Sequence, residues 1–271
     1  DSSSSSNTAL ITAGNAEGFA ANFMSADTPS KESNGDAGTA PQGLKGLSSS
    51  QNKSAILINP DAEPCEDGGT FTDNFEILNS YPDPFEYTFD LIFERYRPSG
   101  FCDITLIFDG QVTGSGSDSG GAQTYNNFSV TYGVFSVTYN GSATLSIGAK
   151  PGVTIWNLDM DVVHQDGSRY RMLMTQESTE LNSFLSSSTD VSGQLISDEH
   201  GTVEVTTRSP IVDKENEISA SSGQLHFAGA HGSQMLLTYI ENGFTLQIDE
   251  DGDNVYESSK SCEWLTGCAD Q

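Results

Sequence analysis

From Phe85 to the C-terminus the chain consists of short runs of β-branched and aromatic residues separated by Gly, Asn and Asp, and this pattern constrains the fold most strongly. Such runs with turn residues between them are typical of antiparallel β structure. Beyond Pro60 no run of about 10–12 residues has clean helical periodicity, which disfavours a parallel α/β architecture. We therefore predict an all-β antiparallel meander that forms a large curved sheet, a sandwich or a partly closed barrel. The clearest runs span residues 89–93, 104–108, 128–132, 134–139, 153–163, 170–175, 203–207, 234–240 and 244–248.

The aromatic residues indicate where the folded body lies. Of the 25 Phe, Tyr and Trp residues, only Phe19 and Phe23 precede residue 70. Because aromatic side chains dominate core burial, we predict a single antiparallel β domain over residues 65–271. Residues 1–64 are rich in Ser and Gly and include the run Ser2–Ser6, so we predict a tether there.

One part of the tether has the spacing of an amphipathic helix. Apolar residues recur at i, i+3, i+4, i+7 and i+8, which predicts a short helix at about residues 13–25. Thr12 is a candidate N-cap residue. We expect this helix to pack against the β domain. The apolar residues are Ala16, Phe19, Ala20, Phe23 and Met24.

The charge of the chain excludes several partners. Acidic residues outnumber basic ones 38 to 11, which gives a formal net charge of −27. Such a chain has no basic surface for nucleic-acid phosphates or for anionic lipid headgroups. We find no apolar run long enough for a transmembrane helix and no charged leader followed by an apolar run, so we expect a mature chain. The expected partner is therefore an unidentified protein or small molecule.

Four cysteines indicate an oxidising compartment. No C-x2-C pair occurs and the histidines lie elsewhere, so a zinc site is not expected. An even number of cysteines in an acidic, Ser-rich chain favours disulfides and an extracytoplasmic location. Pairing neighbours in sequence gives Cys65–Cys102 and Cys262–Cys268, one of three connectivities that four cysteines permit.

At two Gly-containing turns, the number of loop residues decides which residues of the two flanking strands share a face, and this predicts the hairpin register. A three-residue loop at 165–167, with Gly167 left-handed, puts the apolar residues of both flanking runs on one face. It also sets Asp161 opposite Arg171. The same parity test predicts a three-residue loop at 139–141 with Gly141 as a bulge.

A short sequence occurs twice. Ser-Gly-Gln-Leu at residues 192–195 recurs at residues 222–225, and each copy is followed by a His-Gly pair and a β-rich run. Two copies are too few for a solenoid. We predict two similar hairpins stacked in one sheet.

The motif with the most specific chemistry is an Asp-rich segment near the C-terminus. Carboxylates at positions 1, 3, 5 and 9 and a backbone carbonyl at position 7 are the hard oxygen ligands that Ca²⁺ prefers. The segment resembles the calcium loops of thrombospondin type 3 and dockerin repeats. It departs from them at Asn254, where those loops have Gly, and at Lys260, where an EF-hand has Glu. A solvated turn is the alternative interpretation. The candidate ligands are Asp249, Asp251, Asp253, Val255 and Glu257.

The sequence is also compatible with three other functions. His200 and His231 lie on one rim if the two similar hairpins pack side by side, which would suit a metal or an acid–base pair. A curved sheet lined by aromatic residues would suit a carrier of a lipid or another apolar ligand. No known catalytic motif occurs, so no catalytic residue is assigned. An unrecognised hydrolase is the third alternative, because the residues of a catalytic triad can be distant in sequence and come together only in the folded protein. The candidate lining residues are the aromatic residues Phe89, Phe93, Phe108, Phe128, Phe135 and Trp156, together with Met160.

The chain as a whole resembles the mature part of an uncharacterised Gram-negative (proteobacterial) envelope lipoprotein. The resemblance lies in the serine tether, the Ala-rich helix at 15–17, the segment 65–70 and the closing turn at 251–253. It implies a location in the periplasm, at the outer membrane or at the cell surface, and a non-catalytic binding or structural role. No cysteine precedes Asp1, so an N-terminal lipid anchor is implied by the resemblance alone.

Overall fold

The computed structural model describes residues 8–27, 65, 68–79, 85–97, 106–132, 135–150, 152–181, 186–214, 220–240, 243–263 and 267–270. These residues form antiparallel β-strands and one α-helix, so the all-β prediction is confirmed. The chain divides into two compact units, residues 29–169 and residues 1–28 with 170–271. The single β domain over residues 65–271 stays a prediction.

The first unit spans residues 29–169, and its described residues form six strands. Each strand pairs antiparallel with the next one along the chain, as in a meander. The strands are β1 (Thr70–Asn79), β2 (Glu86–Tyr96), β3 (Leu106–Ser117), β4 (Gly120–Tyr132), β5 (Phe135–Ile147) and β6 (Val153–His164).

Aromatic rings fill the interior of this unit. Phe93 lies 5.9 Å from Phe108 and 5.4 Å from Phe128 between ring centroids, and all three residues are buried. Two glycines of β3 provide space for further rings: a Cβ at Gly114 would lie 2.5 Å from the ring of Phe89. A Cβ at Gly116 would similarly meet the phenol of Tyr87. The Gly- and Ser-rich sequence of β3 therefore has a packing function.

The second unit combines residues 1–28 with residues 170–271. Its eight strands also pair antiparallel in chain order. A short 3₁₀ turn, Ala230–Gly232, joins two of them. The strands are β7 (Arg169–Leu181), β8 (Ser186–Ser197), β9 (Gly201–Lys214), β10 (Ser222–Ala228), β11 (Gln234–Ile240), β12 (Gly243–Asp249), β13 (Ser258–Glu263) and β14 (Gly267–Asp270).

The helix of the tether is present and packs against the strands of the second unit, as predicted. It is α1 (Ala16–Asp27), so it begins three residues later than expected. The Thr12 carbonyl accepts hydrogen bonds from the N–H groups of Asn15 and Ala16 and closes a separate turn before the helix. The helix is fixed by an edge-on contact between Phe23 and Phe227, whose ring centroids are 5.9 Å apart.

The predicted loop at residues 165–167 is confirmed. The His164 N–H donates to the Ser168 carbonyl (3.0 Å), and the Gly167 N–H donates to the His164 carbonyl (2.9 Å). Gly167 has φ +87°, the left-handed conformation that such a three-residue loop requires. The apolar residues predicted to share a face, in β6 and β7, are all buried.

The predicted loop at residues 139–141 is wrong. β5 continues through Asn140 and Gly141 without a turn. Opposite this point β4 has a bulge, where Asn127 has φ +48° and its N–H donates to the Asn140 side chain (2.8 Å). Gly141 allows close approach of a neighbouring strand, because a Cβ there would lie 2.1 Å from the Asp159 carbonyl oxygen. The Asn-Gly pair therefore lies within a continuous strand, opposite a bulge in the neighbouring strand β4.

The repeated Ser-Gly-Gln-Leu sequence forms two similar hairpins in one sheet, as predicted. The first copy lies in β8 and the second in β10, and these strands flank β9. Both central glycines have positive φ, +151° at Gly193 and +130° at Gly223. Gly223 lies at an irregular position of the β9–β10 ladder, whereas Gly193 pairs regularly with Val205. Leu195 and Leu225 are both fully buried.

Candidate functional site

The Asp-rich segment forms the connection between β12 and β13. Asp249 is the last residue of β12 and is fully buried, whereas Asp251, Asp253 and Glu257 are exposed. Carboxylate oxygens of all four residues lie within 4.8 Å of one another. The structure thus brings together the four predicted carboxylates in a group that could hold a metal ion.

Two residues with positive φ give the connection its tight curvature. Asn254 has φ +68°, so at the position where similar loops have Gly it adopts the conformation that Gly would provide. Gly252 has φ +78°, and a Cβ there would lie 2.8 Å from the His231 carbonyl oxygen. The acidic loop therefore packs directly against the 3₁₀ turn.

Asp249 is held by hydrogen bonds to both carboxylate oxygens. Oδ1 accepts from the Gly252 N–H (2.7 Å), and Oδ2 accepts from the Asn254 N–H (2.8 Å). Oδ2 also accepts from Gln234 Nε2 (2.7 Å). The bond from Gln234, followed by the backbone bonds, lowers the pKa of the Asp249 carboxyl, so this group is ionised at neutral pH. Its position is fixed from within the fold.

The exposed carboxylates are positioned by the loop backbone. Asp251 accepts from the Asp253 N–H (3.2 Å), and Asp253 accepts from the Val255 N–H (2.7 Å). Glu257 accepts from the Glu250 N–H (3.1 Å). Each of these bonds uses one oxygen of the carboxylate. The carbonyl of Val255 as a further ligand stays a prediction.

The flanks of the loop are attached to the N-terminal segment. The Glu250 carboxylate accepts from the Ala13 N–H (2.6 Å). Lys260, at the twelfth position of the motif, donates to the Glu17 carboxylate of α1. The loop therefore lacks the acidic twelfth ligand of an EF-hand, and its lysine instead anchors the helix.

The cysteines are consistent with a disulfide arrangement without fixing the pairing. Cys65 and Cys262 are buried, and neither is a free thiol. Cys262 lies directly opposite Cys268 in the β13–β14 ladder. Residues directly opposite in an antiparallel pair have Cα atoms about 4.5–5.5 Å apart, a separation that a disulfide spans. Cys102 lies outside the described residues, so Cys65–Cys102 stays a prediction.

The histidines do not join the acidic cluster. Within the described residues, the acidic cluster is the one group of three or more His, Cys, Asp or Glu residues compact enough for a metal ion. The imidazole of His200 packs edge-on against the ring of Phe19, with 5.7 Å between ring centroids. His231 is exposed in the 3₁₀ turn and has φ +57°. The proposed metal pair of His200 and His231 therefore receives no support.

The aromatic residues considered for an apolar carrier site are core residues wherever the structure describes their side chains. Six of the seven are buried, and the side chain of the seventh, Phe135, is not described. A surface groove of about 740 Å³ lies across β1, β2 and β3, and Phe89 is the one candidate that borders it. Its lining is mostly polar and was not anticipated from the sequence, because it depends on the pairing of three strands. The lining residues are Asp73, Asn74, Phe75, Glu76, Thr88, Phe89, Asp90, Thr113, Gly114 and Ser115.

Comparison with known proteins gave no match: no family model, no curated protein and no solved structure is similar to this chain. Among the described residues, no helix is both long and apolar enough to cross a membrane. The functional argument accordingly depends on the geometry of the chain itself.

Proposed function

We propose that this chain is a non-catalytic binding or structural module of the cell envelope or of the secreted fraction, and that Ca²⁺ stabilises its C-terminal loop. The observation that carries the proposal is the convergence of four carboxylates within 4.8 Å. At least one of them, Asp249, is held ionised inside the fold. The extracytoplasmic location rests on the sequence resemblance and on the cysteines.

Calcium fits this cluster better than other divalent ions for two reasons. The candidate ligands are all oxygen atoms, which favours Ca²⁺ or Mg²⁺ over zinc or copper. Three exposed loop carboxylates around one buried carboxylate suit the irregular coordination of Ca²⁺, whereas Mg²⁺ requires near-ideal octahedral geometry. A dication also relieves the mutual repulsion of the carboxylates.

The expected effect of the ion is structural. The loop lies against the 3₁₀ turn through Gly252 and is joined to the N-terminal segment through Glu250. Lys260, three residues after Glu257, holds α1 through Glu17. Fixing the loop therefore stabilises the packing of three separate chain segments.

The proposal is tested by thermal unfolding of the full chain with Ca²⁺ or with a chelator. At a free Ca²⁺ concentration of about 100 times Kd, binding to the native state adds about 2.7 kcal/mol. For a chain of this size that raises Tm by about 5–10 °C. Asp251→Asn should remove most of this increase, whereas Asp190→Asn, an exposed charge on β8 outside the cluster, should retain it. An equal increase in both variants, or none in the unmodified chain, would overturn the proposal.

A further inference from the structure

The first strand of the meander is a long open edge. β1 is ten residues long, and among the described strands it pairs with β2 alone. Nine of its ten residues are exposed and the tenth is half-buried. The last strand, β14, is by contrast only four residues long. Proteins usually protect an edge by shortening it, as at β14, so a long exposed edge indicates a surface for pairing with another strand.

β1 carries large apolar side chains in exposed positions. Phe75 is 51%, Ile77 55% and Leu78 51% exposed. Phe75 lies opposite Phe89 in the register and stacks on Tyr87, with 5.5 Å between ring centroids. The buried aromatic face of β2 thus extends outward onto β1, where Phe75 and Ile77 are exposed.

The opposite face of the same strands is polar and acidic. Asn74 lies opposite Asp90, and Glu76 lies opposite Thr88, so these residues share one face. Asp90 accepts a hydrogen bond from Gln111 Nε2 (2.7 Å) and is thereby oriented. These residues border the groove of 740 Å³.

The charge around this edge is predominantly negative. The described residues 68–79, 85–97 and 106–132 contain seven carboxylates and two basic residues, Arg95 and Arg97, which follow Glu94 at the end of β2 that pairs with the start of β1. An excess of charge of one sign attracts a partner of the opposite sign and increases its rate of association. The carboxylates are Asp73, Glu76, Glu86, Asp90, Glu94, Asp109 and Asp118.

We propose that the β1 edge binds an extended cationic polypeptide segment in which Lys or Arg alternates with apolar residues. The segment adds a strand to the sheet, so that its main chain pairs with β1 and its side chains point alternately to the two faces. The basic side chains then lie toward Glu76 and Asp90, and the apolar ones toward Phe75 and Ile77. A second copy of this chain is a poor partner because each copy carries a net charge of −27.

This inference names the partner of the proposed binding module and does not depend on Ca²⁺. It is tested on the full chain with a fluorescent ten-residue peptide of alternating Lys and Val, measured by anisotropy at low and at near-physiological salt. The matched control peptide has Glu in place of every Lys. We expect binding of the Lys peptide, weakened by salt, and no binding of the Glu peptide. Equal binding of both peptides, or of neither, would overturn the inference.

Two further comparisons separate strand addition from simple charge attraction. Glu76→Lys should weaken binding at least about tenfold, whereas the charge-matched Asp190→Lys should change it less than about twofold. A Lys–Val peptide N-methylated at alternate residues keeps its charge but cannot donate main-chain hydrogen bonds along one edge, so it should bind at least about tenfold more weakly. Unchanged binding of the methylated peptide would exclude edge pairing.

Self-association is measured by sedimentation on the same samples. A dimer that Glu76→Lys abolishes and that competes with the peptide would identify a second copy as the occupant and overturn the inference. A chain that is stabilised by Ca²⁺ but binds no peptide would lose this inference and retain the metal site. A chain that binds the peptide but not Ca²⁺ would retain this inference and lose the metal site.

Discussion

The hairpin turn at residues 165–167 allows the free-energy cost of a left-handed backbone conformation to be measured with little contribution from side-chain contacts. Gly167 has φ +87°, and none of the described atoms lies within 4 Å of the position of a Cβ there. Gly167→Ala therefore introduces conformational strain without a steric clash. A left-handed Ala costs about 1–2 kcal/mol, and the restricted unfolded chain returns about 0.4–1 kcal/mol. The expected net loss of stability is about 1 kcal/mol.

The assay is urea unfolding followed by circular dichroism, together with thermal unfolding. A loss of about 1 kcal/mol lowers Tm by about 2–4 °C in a chain of this size. Gly167→Asn should cost less than Gly167→Ala, since Asn tolerates the left-handed conformation. Gln165→Ala, an exposed position in the same turn, serves as the control and should have little effect. If Gly167→Ala were as harmless as Gln165→Ala, the assigned register of this hairpin would be wrong.

Two other predictions concern protonation and covalent structure. Burial lowers the pKa of His164, and the nearby charge of Asp166 only partly opposes this effect. The folded state then binds a proton at His164 less readily than the unfolded state, so the free energy of unfolding should decrease as the pH drops below about 6.5. His164→Gln should make the free energy of unfolding depend less on pH in that range. An unchanged pH dependence in this variant would contradict the argument. The Cys262–Cys268 pairing predicts no free thiol from these residues in unfolded, unreduced protein, and Cys268→Ser should cost about 2 kcal/mol. Titration of a free thiol at Cys262 in unmodified protein would exclude the bond.

Much of the architecture could be predicted because it follows from local patterns. The alternating apolar residues of β6 and β7 fixed which side chains face inward, and parity then selected the three-residue turn with Gly167. The acidic loop was recognisable from the spacing of its carboxylates, which are all contributed by nine consecutive residues. Both features depend on contacts between residues that are close in sequence.

The errors and omissions depend on contacts between residues distant in sequence. Asn140-Gly141 has the signature of a hairpin turn, but the pairing of β4 with β5 makes it part of a continuous strand that faces a bulge in β4. The Gly- and Ser-rich parts of β3 and β4 have no apolar alternation, because rings from β2 occupy the space above Gly114 and Gly116. The exposed edge at β1 was not predicted at all, since exposure of Phe75 depends on the absence of a further strand beside it among those described.

Calorimetric titration of Ca²⁺ into metal-free, full-length protein tests the proposed metal site most directly. The account predicts saturable binding of one Ca²⁺ ion per chain, which Asp253→Asn weakens strongly and Asp190→Asn leaves nearly unchanged. Mg²⁺ at the same concentration should bind more weakly. Absence of binding up to about 10 mM Ca²⁺, above the range of known extracellular calcium modules, would show that the acidic cluster is only a solvated turn.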